Sequence, residues 1–135
     1  MKQLFLCLIA ISFTFAEPID DFLSKMEAEV KVQQPNFKGF SLERGEKIFT
    51  TSNVGKKGEA ISCISCHGTD FTKKGKHFFT GKFIDPLSRK ANPKAFTNEK
   101  HVEKWLKRNF KDVYNRVGTP KEKGDVVTYM LSKSR

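Results

Sequence analysis

The sequence predicts an all-α domain of about four or five short helices joined by long loops. Three observations carry that expectation. Apolar residues recur at helical spacing in four separate stretches, most of them opened by a capping residue or a proline. No stretch alternates apolar and polar residues over strand length, so strands are not required anywhere. Between Gly68 and Pro93 periodicity lapses, and Gly75, Gly81, Pro86 and Pro93 punctuate a run of loops and turns.

Taken in order, Pro18 opens a helix to about Val32, with Phe22, Met26 and Val30 every fourth residue and Leu23 beside them. Gln33-Gln34-Pro35-Asn36 ends it, and Phe37 to Phe40 form a linker around Gly39. Ser41 is the expected N-cap of a second helix ending at Phe49. Gly45 inside that helix costs about 1 kcal/mol relative to Ala, so another helix is expected to approach closely there, with Phe49 packing alongside. Thr50 to Glu59 form a polar loop. Thr97 is the expected N-cap of a helix from Asn98 to about Asn109, whose apolar face carries Val102, Trp105 and Leu106. The next position on that face is Asn109, and an amide there needs a polar partner. Thr119-Pro120-Lys121-Glu122 combines a capping box with Pro at the first helical position. It opens a last helix to about Ser132, with Val126, Tyr129 and Met130 on one face and Val127 and Leu131 adjoining.

The loops have something to enclose. Cys63-Ile64-Ser65-Cys66-His67 has the C-x-x-C-H form of a c-type haem attachment site. Two intervening residues put the thiols one helical turn apart, within reach of two vinyl groups, and the adjoining imidazole becomes the proximal iron ligand. A thioredoxin-like dithiol would need a surrounding βαβ pattern, which is absent. Zinc would need four ligands, and outside the motif there are only His77 and His101, at non-standard spacing. The N-terminus agrees with haem. Met1-Lys2-Gln3, an apolar run from Leu4 to Phe15, Ala16 and then Glu17-Pro18 have the form of a secretory signal peptide, and c-type haem is attached on the exported side of the membrane. The run is too short for a membrane span, and Cys7 within it lacks a lipoprotein context. The expected organisation is therefore a signal peptide over residues 1–16, an N-terminal helix and linker over 17–40, and a monohaem domain over 41–135. That domain has a small class I-like cytochrome c fold, and the location is periplasmic, with no transmembrane span after cleavage. Gly45 and Phe49 then resemble the contact helix of small c-type cytochromes.

The chain carries a formal charge of +10. A solvated basic surface explains this. So does electrostatic docking to a redox partner, such as another cytochrome with an acidic face, or to an anionic membrane. An exported cytochrome seldom meets nucleic acid, which excludes that class of partner.

The sixth iron position decides what such a protein does. No Met lies between His67 and Met130, and Met130 and Met26 both fall on expected core faces. His77 and His101 remain, of which His77 is the better placed, because His101 lies off the face that carries Asn109. For the other ring nitrogen of His67, a carbonyl in the Asp85-Pro86-Leu87 region is the expected acceptor. Phe71, Phe78, Phe79, Phe83, Ile84 and Leu87 are candidates to line the haem crevice, although an ordinary core explains them equally well.

From Cys63 to Ser132 the chain resembles the SHP-type oxygen-binding cytochromes, a family grouped as a domain of unknown function. The likeness rests on Thr80-Gly81-Lys82, Pro86-Leu87, Asn92-Pro93 and Phe96-Thr97, then Val102-Glu103-Lys104-Trp105-Leu106, Arg108-Asn109, Arg116 and Glu122-Lys123-Gly124-Asp125. The resemblance implies an Asn side chain as distal ligand in the ferric state, which leaves on reduction so that ferrous haem binds oxygen or nitric oxide. The ligand follows Arg in the Trp-x-x-Arg-Asn run, which is Asn109 here. An amide oxygen is a hard, weak donor that suits ferric iron better than ferrous, so the residue type is compatible with release. The chain departs from the family at one pair of positions. A Cys directly after the ligand Asn, paired with another eight residues on, is common there, and Phe110 and Gly118 stand at those positions here.

Two readings follow, a haem protein whose ferrous iron takes a diatomic gas and a closed six-coordinate electron carrier with His77 as distal ligand. No catalytic acid or base is identifiable, so no enzyme activity is assigned. Arg108 and Arg116 are candidates to bond a bound gas or a propionate, with surface solvation as the plainer role.

Overall fold

The computed structural model describes residues 17–134, and the expected signal peptide lies outside them. Five helices are present among the described residues, namely α1 (Pro18–Gln33), α2 (Leu42–Thr50), α3 (Ile64–His67), α4 (Glu99–Tyr114) and α5 (Pro120–Lys133). α2 and α5 share the most extensive helix contact, and α1 packs across α5 and α4. The core gathers Ile19, Phe22 and Met26 of α1, Phe49 of α2, Leu106 and Phe110 of α4, and Val126, Val127, Tyr129 and Met130 of α5. Both methionines are thus core residues, as the periodicity suggested.

The close approach expected at Gly45 is made by α5. A Cβ on Gly45 would stand 2.0 Å from the Asp125 carbonyl oxygen and 2.9 Å from the Tyr129 Cβ. Beside it, the Asp125 carboxylate is almost fully buried. It accepts the Ser41 N–H at 2.7 Å, Arg44 Nε at 2.8 Å and Arg44 Nη2 at 2.9 Å. A buried carboxylate is tolerated only when its oxygens are met by donors, and the forked guanidinium meets both at once. Ser41 also caps α2 by accepting the Arg44 N–H. Gly124 makes a second close contact, with the Phe40 ring lying where its Cβ would be, at 2.1 Å. At the start of α5 the capping box forms as read, with Thr119 N–H donating to Glu122 Oε2 at 2.8 Å and Glu122 N–H to Thr119 Oγ1 at 3.2 Å.

Two expectations need correction, both at α4. α4 runs beyond Asn109 to Tyr114, because Phe110 and Val113 continue its buried stripe, and it stops at Asn115, whose φ of +52° is left-handed. Its N-cap is Asn98 rather than Thr97, with the Asn98 side chain accepting the His101 N–H at 2.9 Å. Strands do occur. β1 (Asn53–Val54) pairs with β2 (Ala60–Ile61), and β3 (Gly75–Lys76) with β4 (Phe83–Ile84), both antiparallel. Each is two residues long, too short for an alternating pattern to register.

The long loop is pinned to the end of the chain. Ser134 Oγ donates to the Leu87 carbonyl at 2.8 Å and accepts the Arg89 N–H at 3.2 Å. Before α4 the buried Phe96 takes φ +62°, a conformation unfavourable for a bulky residue, and its ring is placed in the core.

Gly45→Ala forces its methyl against backbone that cannot yield. It is expected to destabilise the folded protein by about 1–3 kcal/mol, measured as a lower Tm in thermal denaturation. An unchanged Tm would mean that α2 and α5 do not cross as described.

Candidate functional site

α3 is a single turn that carries the C-x-x-C-H motif. The Cys66 and His67 N–H groups both donate to the Cys63 carbonyl, at 3.2 and 3.0 Å, and Gly68 ends the turn at φ +68°. Ser62 and Ser65 brace it from outside, the Ser62 N–H donating to Ser65 Oγ at 3.0 Å. Residues three apart on such a turn share one side of it. Neither cysteine forms a disulfide. Burial pushes the Cys63 thiol up to about 12. Burial also raises Cys66, against the pull of the Phe78 N–H on its sulfur at 3.3 Å. Both are therefore thiols at neutral pH. Burial, with a smaller effect from His77, lowers the His67 imidazole to about 4, so it is neutral with a lone pair to donate.

The motif rests on the α2–α5 crossing. Phe49 lies 6.0 Å from the His67 ring, 5.3 Å from Phe71 and 5.5 Å from Tyr129. Behind the motif β3 approaches so closely that a Cβ on Gly75 would stand 2.3 Å from the Cys66 carbonyl oxygen. The acceptor expected for His67 is not realised. The Pro86 carbonyl takes the Asn92 side chain, the Leu87 carbonyl takes Ser134, and the His67 ring has no hydrogen-bond partner among the described residues.

The β3–β4 hairpin joins the motif to a cleft of about 380 Å³. Phe78 contacts Cys66 Sγ, while its neighbours His77 and Phe79 line the cleft together with Trp105, Arg108, Asn109 and Asp112 of α4. α4 thereby divides into two stripes. Leu106, Phe110 and Val113 are buried in the core direction, whereas Trp105, Asn109 and Asp112 line the cleft. Trp105 was expected on the core face with Leu106, yet it is 42% exposed and belongs to the second stripe.

Asn109 and His77, the two candidate distal ligands, thus line the same cleft in different conditions. His77 Nδ1 accepts the backbone N–H groups of Phe79 and Thr80 at 3.2 and 3.3 Å. Its Nε2 faces the Asp112 carboxylate at 3.7 Å. Accepting at Nδ1 puts the proton of a neutral ring on Nε2, which leaves no free lone pair. Asn109 is half-buried in mid-helix, and its amide has no hydrogen-bond partner among the described residues. His101 is exposed and does not line the cleft, its ring lying 5.9 Å from Trp105.

Of the two arginines, only Arg108 lines the cleft. Arg116 is held by Glu122 at 2.6 and 2.8 Å, and the guanidinium keeps that carboxyl below its ordinary pKa. Of the candidate crevice residues, Phe79 lines the cleft and Phe71 is core. Phe78 and Phe83 are exposed, and Ile84 and Leu87 are half-buried. Sequence reasoning missed Asp112, which pairs with Lys56 as well as facing His77. Its only sequence signal is its place three residues beyond Asn109. Phe110 and Gly118, where the resemblance expects paired cysteines, are neighbours. A Cβ on Gly118 would stand 2.7 Å from the Phe110 ring, so the aromatic occupies the space a side chain there would need.

The donor set matches what covalent haem requires, with two neutral thiols on one turn, a neutral imidazole beside them and a cleft where Phe79 and Trp105 stand among basic side chains with the Asn109 amide. Among the described residues no group of three or more His, Cys, Asp or Glu side chains is arranged to hold a metal ion.

Residues 35–130 match the family described as Domain of unknown function (DUF1924). The cytochrome c-type protein SHP of Cereibacter sphaeroides is 42% identical over 91 residues, 67% of this chain and 70% of that protein. The solved structure of oxidized SHP, described as an oxygen-binding cytochrome c, superposes with a TM-score of 0.70. It is 35% identical and covers 83% of this chain and 94% of its own. A solution structure of cytochrome c'' from Methylophilus methylotrophus, described in terms of haem-ligand detachment, gives 0.73 at 26% identity, covering 87% and 94%. The chain belongs to the DUF1924 family and is a relative of the c-type cytochromes, whose fold it shares.

Proposed function

We propose that this chain is an exported monohaem c-type cytochrome. Cys63 and Cys66 hold the haem through thioether bonds, His67 is the proximal iron ligand, and Asn109 is a distal ligand that leaves on reduction. When bound, the haem supplies an iron that cycles between the ferric and ferrous states. The observation that carries the proposal is the contrast in the cleft, where the Asn109 amide has no hydrogen-bond partner among the described residues, whereas His77 accepts two N–H groups at Nδ1 and faces Asp112 with Nε2.

The amide oxygen of Asn109 is a hard, neutral and weak donor. It holds ferric iron better than the softer ferrous ion, so reduction favours its departure. The site then takes a small diatomic ligand such as oxygen or nitric oxide. Two relatives support this reading in what is said of them, SHP as an oxygen-binding cytochrome c and cytochrome c'' through haem-ligand detachment. Arg108 stands at the cleft, where its guanidinium can donate to a bound gas or a propionate. The signal peptide of residues 1–16 delivers the chain to the periplasm. Residues 17–40 form a helix and linker ahead of the haem domain of 41–135. Among the described residues no helix is long and apolar enough to cross a membrane.

Substituting Asn109 and His77 separately tests the assignment. Asn109→Ala is expected to turn the ferric absorption spectrum into that of a five-coordinate or water-ligated haem, while His77→Ala leaves ferric coordination as it was. The opposite pattern would transfer the ligand role to His77 and make the protein a closed electron carrier. Covalent attachment has its own test. Cys63→Ala combined with Cys66→Ala is expected to abolish haem that survives denaturing electrophoresis, and retention of bound haem would refute thioether linkage.

A further inference from the structure

α4 has a third face. Lys100, Lys104, Lys107 and Lys111 recur at intervals of four, three and four residues, which aligns them along one side of the helix, with Arg108 beside them. All five are exposed. They border a shallow groove of about 540 Å³ in which the one acidic residue is Glu103. Glu103 is committed elsewhere, to Lys25 of α1 at 3.1 Å.

None of the five cations has an ion-pair partner among the described residues, whereas Arg44, Arg89 and Arg116 each hold a carboxylate. Like charges at three- and four-residue spacing repel, and Lys100 stands in the first turns, where the helix macrodipole also disfavours a cation. Helix stability therefore does not account for the pattern. The stripe is also continuous with the cleft, because Arg108 and Lys111 line both. Trp105 lies at that junction, 42% exposed, with the Arg108 guanidinium 5.5 Å and the Lys104 ammonium 5.9 Å from its ring. An aromatic flanked by Arg at the border of a charged patch is the composition of a protein-docking surface.

We propose that the Lys100–Lys104–Lys107–Arg108–Lys111 face of α4 docks an acidic redox protein, bringing it against the wall of the distal cleft. The proposal rests on the cytochrome reading and adds to it the location of the partner surface. Complementary charge sets the occupant. A second copy of this chain would present the same cations and be repelled.

The test uses haem-loaded protein, with flavodoxin as an acidic redox probe, and reads binding by titration calorimetry at low and physiological ionic strength. Lys100, Lys104 and Lys107 are reversed together to Glu, none of them lining the cleft. A control reverses Lys38, Lys47 and Lys74, which lie outside α4 and are exposed. The α4 variant is expected to lose about tenfold or more in affinity at low salt, and the control about threefold or less. A milder triple to Gln, with the same direction of effect, guards against misfolding of the reversed variant. Equal losses in both triples would reduce the effect to net charge and overturn the proposal. It would also be overturned if the α4 triple lost sedimentation with anionic phosphatidylglycerol vesicles while keeping its affinity for flavodoxin, because the face would then serve a membrane. Ferric spectra recorded on the same samples separate this outcome from failure of the Asn109 assignment, which leaves flavodoxin affinity unaffected.

Discussion

The crossing of α2 and α5 at Gly45 is the contact on which the rest of the structure depends. With no Cβ at Gly45, the two backbones meet at a distance no other residue allows. Arg44 and the Ser41 N–H then close on the buried Asp125 carboxylate and lock the crossing in register. The same geometry sets Phe49 between Tyr129, Phe71 and the His67 ring. A residue near each end of the domain thus fixes the floor under the haem motif in its middle. Burying Phe49 contributes about 1.5–3 kcal/mol, and it sets an aromatic ring 6.0 Å from the His67 imidazole.

Against that fixed side, α4 carries everything variable. One stripe of it, Leu106, Phe110 and Val113, is buried. The second, Trp105, Asn109 and Asp112, lines the cleft, and the third is the row of lysines facing outward. The helix is anchored by the Tyr114 hydroxyl, which donates to the Ile48 carbonyl at 2.6 Å, and by the Phe110 ring against Gly118. The resemblance to the SHP-type cytochromes implies a cysteine pair at the last two positions. Here an aromatic packed on a glycine performs the same spatial task without a covalent bond. Asn109 adjoins this non-covalent contact, so its segment is held there by packing.

Much of this was legible in the residues. Gly45 with Phe49, the capping box at Thr119 and Glu122, and the C-x-x-C-H turn each couple a local physical requirement to a short pattern, and such patterns survive folding intact. What escaped was tertiary. The length of α4 depends on Phe110 and Val113 finding the core, and a reading that stopped at the polar Asn109 could not see past it. Trp105 was assigned to the core because periodicity gives a face but not its neighbour, and that face proved to be shared between core and cleft. The commitment of His77 through Phe79, Thr80 and Asp112 arises from a hairpin whose strands are two residues long. The same limit hid the partner of Arg116, and the uses that Asn92 and Ser134 make of the Pro86 and Leu87 carbonyls.

On the proposed reading, the haem iron has a rigid proximal side and a weak distal ligand. Carbon monoxide added to the reduced protein, with the Soret band followed in a stopped-flow mixer, tests that asymmetry most directly. A prompt shift at a rate proportional to gas concentration is the predicted result. A Soret band that stays in place at saturating carbon monoxide would mean a ligand retained on the ferrous iron, and would contradict Asn109 as the residue that lets go.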